Sequence, residues 1–273
     1  MLKKFAVIGN PIKQSKSPEI HQLFAKQFAH NIEYAKLLAT ADTFEATVLD
    51  FAKNGAIGMN VTAPFKLAAA KLAHSLSARA QSADAVNTLL FKGQKIYGDN
   101  TDGIGLVRDI QENLSFLIKG KKILLIGAGG AARGVLLPIF DAEPESILII
   151  NRTASKAEQL ANTMQVHGNI SGGGFASAQH KEFDLVINAT SAGLSNSSLP
   201  AINYSFAKIS LAYDLVYSAA ATAFMQQAQA AGAKQISDGL GMLVEQAAFS
   251  YKLWHGVMPD TKPVLQHLRA SLN

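Results

Sequence analysis

Two side chains of this sequence could exchange a proton with a bound substrate, Lys66 and Asp102. Lys66 closes the segment Asn60-Val-Thr-Ala-Pro-Phe-Lys66, and Asp102 lies in the polar turn Gly98-Asp-Asn-Thr-Asp-Gly. A lysine beside a carboxylate in a partly dry pocket can be tuned towards neutral pH and act as a general acid or base. A carbonyl that is reduced by hydride transfer needs such a proton. Since most lysines are solvated surface groups, residue types alone leave this pairing open.

A pair of hydroxyl groups could bind an acidic substrate. Ser15 and Ser17 are two residues apart, so in an extended segment both would project on the same side and could donate to one carboxylate. The structural alternative is that Ser17 is the N-cap of a helix that begins at Pro18, with Ser15 part of the preceding loop. The residue pattern does not decide between the two.

A glycine cluster between a strand and a helix indicates a nucleotide site. This cluster lies in the stretch Lys121-Lys-Ile-Leu-Leu-Ile-Gly-Ala-Gly-Gly-Ala-Ala-Arg-Gly. Its apolar first half predicts a buried strand, which ends at Gly127. Gly127 would permit the tight turn, Gly129 would leave the backbone bare for a pyrophosphate, and Ala132 would let the helix pack on the strand. The helix would then point its free N–H groups at the phosphates. Such glycine turns also occur for structural reasons alone.

The end of the following strand favours NADP over NAD. The apolar run Ser146-Ile-Leu-Ile-Ile is followed by Asn151-Arg152-Thr153. An NAD site usually presents an acidic residue to the ribose roughly 20 residues beyond the glycines. Here an arginine is found instead, and its guanidinium can donate to a 2′-phosphate. The alternative is a solvated turn that caps the helix from Ala154.

Composition narrows the class of protein. The chain has 273 residues, enough for two domains, with 48% hydrophobic and 16% charged residues, which suits a compact α/β protein. The lysines and arginines are scattered along the sequence rather than clustered, so no nucleic-acid partner is expected. The net charge of +5 would help to attract anionic ligands. The sequence contains no cysteine, and its histidines lack metal-ligand spacing, so no metal site is expected. Without a signal-peptide pattern or a long apolar run, a cytoplasmic location away from membranes is the expectation.

Strand and helix signals alternate along the chain, which predicts parallel sheets with crossover helices. The polar turn at 98–103 is the expected domain junction. We predict an N-terminal α/β substrate domain over residues 1–101, a Rossmann-type doubly wound domain over 102–239, and C-terminal helices from 240–273 that pack back on the first domain. Strands are predicted at 5–8, 33–38, 56–62, 88–91, 95–97, 123–126, 146–150, 184–188 and 211–215, and helices at 18–30, 44–53, 67–76 and 104–113.

Taken together, the motifs resemble those of the shikimate dehydrogenases, in the same order and over nearly the whole chain. The motifs that carry the resemblance are Ser15-Lys-Ser17, Asn60-Val-Thr-Ala-Pro-Phe-Lys66, Ala85-Val-Asn87-Thr, Asn100-Thr-Asp102-Gly, Gly127-Ala-Gly-Gly-Ala131, Asn151-Arg-Thr153, Asn188-Ala-Thr-Ser-Ala-Gly193, Tyr213-Asp-Leu-Val-Tyr217 and Asp238-Gly-Leu-Gly-Met-Leu-Val-Glu-Gln246.

The resemblance implies an oxidoreductase that reduces 3-dehydroshikimate to shikimate with NADPH, on the route to chorismate and the aromatic amino acids, with substrate and NADP domains across a cleft. It assigns proton transfer to Lys66 and Asp102. The substrate-binding residues that it implies are Ser15, Ser17, Asn60, Thr62, Asn87, Tyr217 and Gln246. The cofactor-binding residues that it implies are Gly127, Ala128, Gly129, Gly130, Ala131, Asn151, Arg152, Thr153, Lys156, Leu215, Gly239 and Met242.

Some features depart from the family pattern, and some alternatives stay open. Ala78 stands where the family often has an acid, and Asp84 stands where glycine is common. The alternatives are a quinate/shikimate dehydrogenase that accepts NAD, which Arg152 disfavours, and a non-catalytic NADP-binding sensor, which would be expected to have lost Lys66 or Asp102. An S-adenosylmethionine transferase would want an acid for the ribose in place of Arg152. A small-molecule substrate and a monomer or homodimer are expected.

Overall fold

The structure is a computed structural model that describes residues 2–190 and 202–272. The chain forms two compact units, Met1–Gly105 with Val244–His267, and Leu106–Leu243 with Leu268–Asn273. The first unit therefore extends beyond the expected boundary at residue 101, and the end of the chain belongs with the second unit. A paired hydrogen bond joins the end of the chain to this unit, since the Arg269 guanidinium donates to both oxygens of the buried Asp238 carboxylate, at 2.8 and 2.5 Å.

The first unit is built on a mixed sheet with the strand order β2-β1-β3-β5-β6-β4. Strands β2 and β3 lie parallel to β1 on either side of it, while β5 and β6 form an antiparallel hairpin. Its elements in chain order are β1 (Lys3–Gly9), α1 (Ser17–Gln27), β2 (Ile32–Leu38), α2 (Phe44–Lys53), β3 (Ala56–Val61), α3 (Lys66–Leu72), β4 (Ser75–Leu76), α4 (Ala78–Ala83), β5 (Thr88–Lys92) and β6 (Lys95–Asp99).

Two local interpretations of this unit were wrong. The helix expected over 67–76 ends at Leu72 and is followed by the short strand β4 and by α4. Neither β4 nor α4 was predicted, because the alanine-rich composition of this segment favours one continuous helix. The N-cap residue of α1 is Lys16 and not Ser17, and no side chain caps this helix.

The backbone explains one departure from the family pattern. Asp84 ends α4 in the left-handed region, with φ of 49°. Glycine is the usual residue in that conformation, and aspartate tolerates it better than most other residues do. The aspartate therefore replaces glycine at a position where the backbone requires one of these few residue types.

The second unit has a fully parallel sheet with the order β9-β8-β7-β10-β11-β12. Numbered from its first strand, this is the 3-2-1-4-5-6 order of the dinucleotide-binding fold, and the order reverses between β7 and β10. The elements that follow β6 are α5 (Asp102–Arg108), β7 (Lys122–Ile126), α6 (Gly130–Asp141), β8 (Ser146–Ile150), α7 (Ala154–Met164), β9 (Ile170–Gly173), β10 (Glu182–Asn188), β11 (Ser205–Asp214), α8 (Ala223–Ala230), β12 (Gln235–Ser237), α9 (Leu240–His255) and α10 (Lys262–Leu272).

Helices cover both faces of this sheet. Ile123 and Leu125 of β7 point into a core with α6 and α7, whereas Leu124 and Ile126 point into a second core with α8. Burial on both faces explains why these strands read as continuous apolar runs rather than as alternating patterns. Among the described helices, none is long and apolar enough to cross a membrane.

Gly105 allows α5 to approach α9 closely. A Cβ atom at this position would lie 2.6 Å from the backbone nitrogen of Gln246 and 2.8 Å from its Cα. These are backbone atoms, which cannot rotate away as the end of a side chain could. The close approach places Gln246 beside the turn that carries Asp102.

We therefore expect Gly105→Ala to destabilise the protein by about 1–3 kcal/mol, the usual effect of overpacking. Denaturant unfolding followed by circular dichroism measures this. Gly129→Ala is the matched control for stability, since a Cβ atom at Gly129 meets nothing within 4 Å. Equal stability of the two variants would show that α5 and α9 can separate at no cost.

Candidate active site

Lys66 and Asp102 form an ion pair in the first unit. Lys66 Nζ lies 2.5 Å from Asp102 Oδ2, with side-chain exposures of 33% and 12%. Lys66 is the first residue of α3, which follows the end of β3, and Asp102 is the first residue of α5, which follows the end of β6. The lysine can therefore be reached by a ligand, while the carboxylate that pairs with it is nearly enclosed.

Asn87 holds the second oxygen of Asp102. Its Nδ2 donates to Asp102 Oδ1 at 2.8 Å, and its Oδ1 accepts from the backbone N–H of Thr101 at 2.9 Å. The backbone N–H of Asp102 in turn donates to Asn100 Oδ1 at 3.1 Å. Because each carboxylate oxygen has its own donor, the aspartate is fixed in one orientation towards Lys66. Gln246 joins the same cluster, since its Oε1 lies 3.3 Å from Asn87 Nδ2.

The turn that carries Asp102 is anchored from behind by the buried carboxylate of Asp99. Asp99 Oδ1 accepts from the hydroxyl of Ser77 at 2.5 Å and from the backbone N–H of Asn100 at 2.7 Å. Arg79 pairs with the other oxygen, at 2.5 Å. The start of α4 thus fixes the turn, and no motif in the sequence pointed to Ser77 or Arg79.

Both ends of the Asn60 amide are hydrogen-bonded to other protein groups. Its Oδ1 lies 2.6 Å from the hydroxyl of Tyr34 and 3.1 Å from Nε2 of His21. Its Nδ2 lies 3.2 Å from the carbonyl oxygen of Asn87 and 3.0 Å from Ser250 Oγ. The side chain that the family resemblance assigned to substrate is therefore buried within the network that supports the site.

Ser250 was missed by the sequence analysis, although it lies at the centre of this network. Its hydroxyl is 2.7 Å from Thr88 Oγ1 and 3.3 Å from Thr101 Oγ1, and all three residues are fully buried. The signal that could have identified it is its position four residues after Gln246, which places both side chains on one face of α9.

The two serines of the first motif lie together. Ser15 Oγ donates to Ser17 Oγ at 3.2 Å and also accepts from the backbone N–H of Ser17 at 3.3 Å. Since Ser17 does not cap α1, the capping alternative is excluded. Thr62 lies just after β3 and is partly exposed. It packs closely on Gly9, since a Cβ atom at Gly9 would lie 2.3 Å from Thr62 Cγ2.

The glycine cluster of the second unit has the form expected for an anion site. Gly127 follows β7 with φ of +113°, a conformation that favours glycine, and α6 begins at Gly130. Cβ atoms at Gly129 or Gly130 would meet nothing within 4 Å, and residues 129–131 are exposed. Ala132 is fully buried where α6 packs on the sheet. The N-terminal N–H groups of α6 are thus open to a ligand. Ala128 lies in the loop, and Ala131 is the second residue of α6.

A cationic turn lies at the end of the neighbouring strand β8. Arg152, Thr153 and Lys156 are exposed, and Thr153 occupies the N-cap position of α7 without a side-chain capping bond. Asn151 Nδ2 donates to the carbonyl oxygen of Thr153 at 3.0 Å and so shapes the turn. With the positive end of α7 beside two cations, the turn attracts anions.

Polar residues join the ends of the next two strands. Asn188 Nδ2 donates to Asp214 Oδ1 at 3.0 Å, and Thr190 donates to Asn188 Oδ1 at 2.7 Å. Burial raises the pKa of Asp214, opposed by hydrogen bonds from Thr222, Val216 and Asn188. The rest of this motif, Ser191 to Gly193, lies outside the described residues.

The last three residues of the predicted cofactor set, Leu215, Gly239 and Met242, lie in one part of the second unit. A Cβ atom at Gly239 would lie 2.2 Å from the carbonyl oxygen of Leu215. The backbone N–H of Met242 donates to the hydroxyl of Tyr213 at 3.2 Å, and this hydroxyl donates to Asp109 at 2.6 Å. Burial and the Asp109 carboxylate hold the pKa of Tyr213 well above its usual value, so it stays a neutral donor. Tyr217 also belongs to this unit, so its role beside the serines of the first unit stays a prediction.

Comparison with known proteins covers the chain almost end to end. Residues 7–89 match the shikimate dehydrogenase substrate binding domain, 109–197 match shikimate/quinate 5-dehydrogenase, and 239–269 match the shikimate 5′-dehydrogenase C-terminal domain. The NADP(+) shikimate dehydrogenase of Laribacter hongkongensis is 50% identical over 272 residues, 100% of both chains. That of Dechloromonas aromatica is 51% identical over 268 residues, 98% of both chains.

Solved structures agree with these relatives. Shikimate 5-dehydrogenase from Thermus thermophilus, in complex with NADP(H) and shikimate, has a TM-score of 0.87 at 30% identity, covering 99% of this chain and 100% of its own. An Ael1 enzyme from Pseudomonas putida has a TM-score of 0.90 at 43% identity, covering 97% of this chain and 98% of its own. Since motifs, fold and full-length relatives all agree, the chain belongs to the shikimate dehydrogenase family.

Proposed function

We propose that this protein is an NADP-dependent shikimate dehydrogenase that reduces 3-dehydroshikimate to shikimate with NADPH. The observation that carries the proposal is the Lys66–Asp102 pair, with its 2.5 Å contact and the buried amide of Asn87 behind it. The same substrate and cofactor are supported by the names of the full-length relatives, which are 50% and 51% identical to this chain. Within this proposal the enzyme acts on a small molecule in the cytoplasm as a monomer or homodimer.

Lys66 is the general acid of the reduction. As an ammonium it donates that proton to the carbonyl oxygen of the substrate, which becomes a hydroxyl group as hydride adds to the carbon. Asp102 keeps Nζ oriented and stabilises its positive charge before the transfer. Because about a third of the Lys66 side chain is exposed, solvent can restore the proton. In the reverse direction the neutral amine accepts the proton of the substrate hydroxyl.

The second unit fits a dinucleotide with a 2′-phosphate. The open space at Gly129 and Gly130 leaves the N–H groups of α6 free to hold a pyrophosphate, together with Ala128 and Ala131. Arg152, Thr153 and Lys156 surround the 2′-phosphate, with Asn151 shaping their turn. NADPH supplies the hydride when bound.

The first unit binds the substrate through neutral donors. Ser15 and Ser17 bind the carboxylate. Thr62, Asn87 and Gln246 bind the ring hydroxyls. The amides of Asn60 and Asn87 both have protein partners at each end, so these residues also hold the neighbouring donors in place.

A quinate-oxidising or NAD-linked activity is the runner-up. The quinate activity is suggested by one matching family, which is described as shikimate/quinate 5-dehydrogenase. The use of NAD is disfavoured by the exposed Arg152, which stands where an NAD site would carry an acid. The deciding experiment follows absorbance of the reduced nicotinamide with shikimate and quinate, each with NADP and with NAD. The proposal expects shikimate with NADP to be the best pair by far, and preference for quinate or NAD would overturn it.

Removal of the lysine should slow proton transfer. We expect Lys66→Ala to lower kcat by about 10²- to 10⁴-fold, the usual contribution of a positioned acid or base, with NADP binding intact. Asp102→Ala should be similarly severe, and the double variant no worse than the single ones, because the two groups act together. Lys71→Ala, an exposed lysine of the same helix α3, is the matched control. Losses that multiply in the double variant would contradict the pairing.

Arg152 should set the choice of cofactor. A hydrogen bond to a charged group contributes roughly 1.5–3 kcal/mol, so Arg152→Ala should raise KM for NADP about ten- to a hundredfold. The weak activity with NAD should stay nearly unchanged, since NAD lacks the 2′-phosphate. Lys208→Ala, an exposed cation on β11, controls for the loss of one positive charge. Equal losses with both cofactors would argue against contact with the phosphate.

Ser15 should contribute to carboxylate binding. Ser15→Ala removes one donor to a bound anion and should raise KM for shikimate at least about tenfold, with KM for NADP unchanged. The melting temperature should barely move, because Ser15 caps no helix. Ser75→Ala, an exposed serine on β4 of the same unit, is the control. An unchanged KM for shikimate in Ser15→Ala would remove this residue from the substrate site.

A further inference from the structure

Asp99, the last residue of β6, contacts both of the residues that hold Asp102. Its carboxylate accepts from the backbone N–H of Asn100 at 2.7 Å, and Asn100 Oδ1 accepts from the backbone N–H of Asp102 at 3.1 Å. Its backbone carbonyl oxygen accepts from the backbone N–H of Asn87 at 3.0 Å, and Asn87 Nδ2 donates to Asp102 Oδ1 at 2.8 Å. A shift of Asp99 would therefore move both the backbone of Asp102 and the amide that orients its carboxylate.

The same turn also holds the segment that supports Lys66. Asn100 Nδ2 donates to the carbonyl oxygen of Ala85 at 3.0 Å. The backbone N–H of the next residue, Val86, donates to the carbonyl oxygen of Lys66 at 2.9 Å. Lys66 Nζ in turn lies 2.5 Å from Asp102 Oδ2. Both members of the proton-transfer pair therefore depend on this turn for their position.

The carboxylate that anchors the turn is a buried charge. The side chain of Asp99 is 3% exposed, and a charge in such a position is costly unless it is paired and hydrogen-bonded. Its Oδ1 accepts from two neutral donors, the hydroxyl of Ser77 and the backbone N–H of Asn100. Its Oδ2 is paired with the guanidinium of Arg79 at 2.5 Å. Arg79 thus supplies the positive charge that compensates the buried carboxylate.

Arg79 makes this contact from the surface of the unit. Its side chain is 32% exposed, and Nη2 is the nitrogen that donates to Asp99. Its Nε is buried and has no hydrogen-bond partner within the part of the chain that the structure describes. Because the contact runs through one nitrogen and not through a bidentate pair, the ammonium group of a lysine can supply the same charge.

Ser77 aligns Arg79 with Asp99. Its hydroxyl donates to Asp99 Oδ1 at 2.5 Å and accepts from the backbone N–H of Ala80 at 3.2 Å, so it caps α4. Its backbone N–H donates to the carbonyl oxygen of Gly98 at 3.0 Å. The cap therefore fixes the first turn of α4, which carries Arg79, against the end of β6.

We propose that Arg79 is a positioning residue for proton transfer: it compensates the buried Asp99 carboxylate and so holds the turn that orients Asp102. This inference rests on the proposed function. It assigns Arg79 to the orientation of the proton-transfer pair and not to the binding of NADP. Arg79 acts through Asp99, and in the described hydrogen bonds it contacts neither Lys66 nor Asp102.

Arg79→Ala and Arg79→Lys test the proposal together. We expect Arg79→Ala to lower kcat with shikimate and NADP about ten- to a hundredfold, since a misplacement of about 1 Å at a reacting group can cost the upper value. KM for NADP should stay at the wild-type value, because the second unit is unchanged. Arg79→Lys keeps the charge and should restore kcat to within about threefold of the wild-type value.

Three outcomes of this comparison would overturn the proposal. An unchanged kcat in Arg79→Ala would show that the turn holds without the guanidinium. A kcat that Arg79→Lys does not restore would show that the positive charge is not what matters. A raised KM for NADP in Arg79→Ala would indicate that Arg79 contacts the cofactor instead.

Two control variants separate positioning from loss of charge and from general loosening. Lys95→Ala removes an exposed lysine of β6, the strand that ends at Asp99. Val48→Ala shortens a fully buried side chain of α2 in the core of the first unit. Both should keep the wild-type kcat at temperatures where they are folded. A loss of kcat that Val48→Ala shares with Arg79→Ala would reflect loosening of the unit and would contradict a positioning role.

Asp99→Asn keeps the proposal testable if Arg79→Ala does not fold. The amide oxygen still accepts from Ser77 and Asn100, and no buried charge is left without a partner. We expect Asp99→Asn to lower kcat about three- to tenfold, the range for loss of one hydrogen bond. Adding Arg79→Ala should then lower kcat by at most about twofold, because Arg79 acts through the Asp99 charge. An unchanged kcat in Asp99→Asn, or a further loss of about tenfold in the double variant, would refute the link.

Failure of this inference is distinguishable from failure of the proposed function. Wild-type protein that is inactive with shikimate and NADP would refute the proposed function itself. Active wild-type protein, with a kcat that neither Arg79→Ala nor Asp99→Asn changes, would refute the positioning role alone.

Discussion

The contact between Lys66 and Asp102 is the interaction on which the rest of the first unit depends. A nearly enclosed carboxylate is costly unless its charge is paired and its oxygens are hydrogen-bonded. Lys66 satisfies one oxygen and Asn87 the other, and the turn beneath them is held by the Asp99 carboxylate. The surrounding hydrogen bonds therefore orient the ion pair, while partial exposure of Lys66 keeps it available to a ligand.

Around that pair lies an amide and hydroxyl network, in addition to the Arg79–Asp99 ion pair that anchors the turn. Asn60, Thr88, Thr101 and Ser250 are buried, and each has protein partners at hydrogen-bond distance. Neutral groups cost less to bury than ions and do not change protonation across the working pH range. A satisfied network of this kind is also rigid, which suits a site that must align a hydroxyl-rich ring.

The second unit reaches anion recognition by a different physical route. Its proposed ligand-binding groups are backbone N–H groups at the starts of α6 and α7, together with exposed cations such as Arg152. Helix N-termini and long basic side chains attract phosphates without requiring a buried charge. In the first unit the donors are short side chains fixed by their neighbours. This difference matches a large polyanionic cofactor on one unit and a small carboxylate on the other.

The sequence by itself determined the fold class, the positions of most strands along the chain, the glycine loop, the cationic turn and the residue types of the proposed proton-transfer pair. These follow from local signals: apolar runs, glycines at turns, and polar residues at the ends of strands. Only the tertiary structure showed that Ser17 caps no helix, that Asn60 lies behind the site, and that Tyr34, Ser77 and Ser250 support it. Tyr34 and Asn60 are 26 positions apart, and Asn60 and Ser250 are 190 apart. Their pairing depends on how β2, β3 and α9 pack, and no local pattern encodes which distant polar groups packing brings within hydrogen-bond distance.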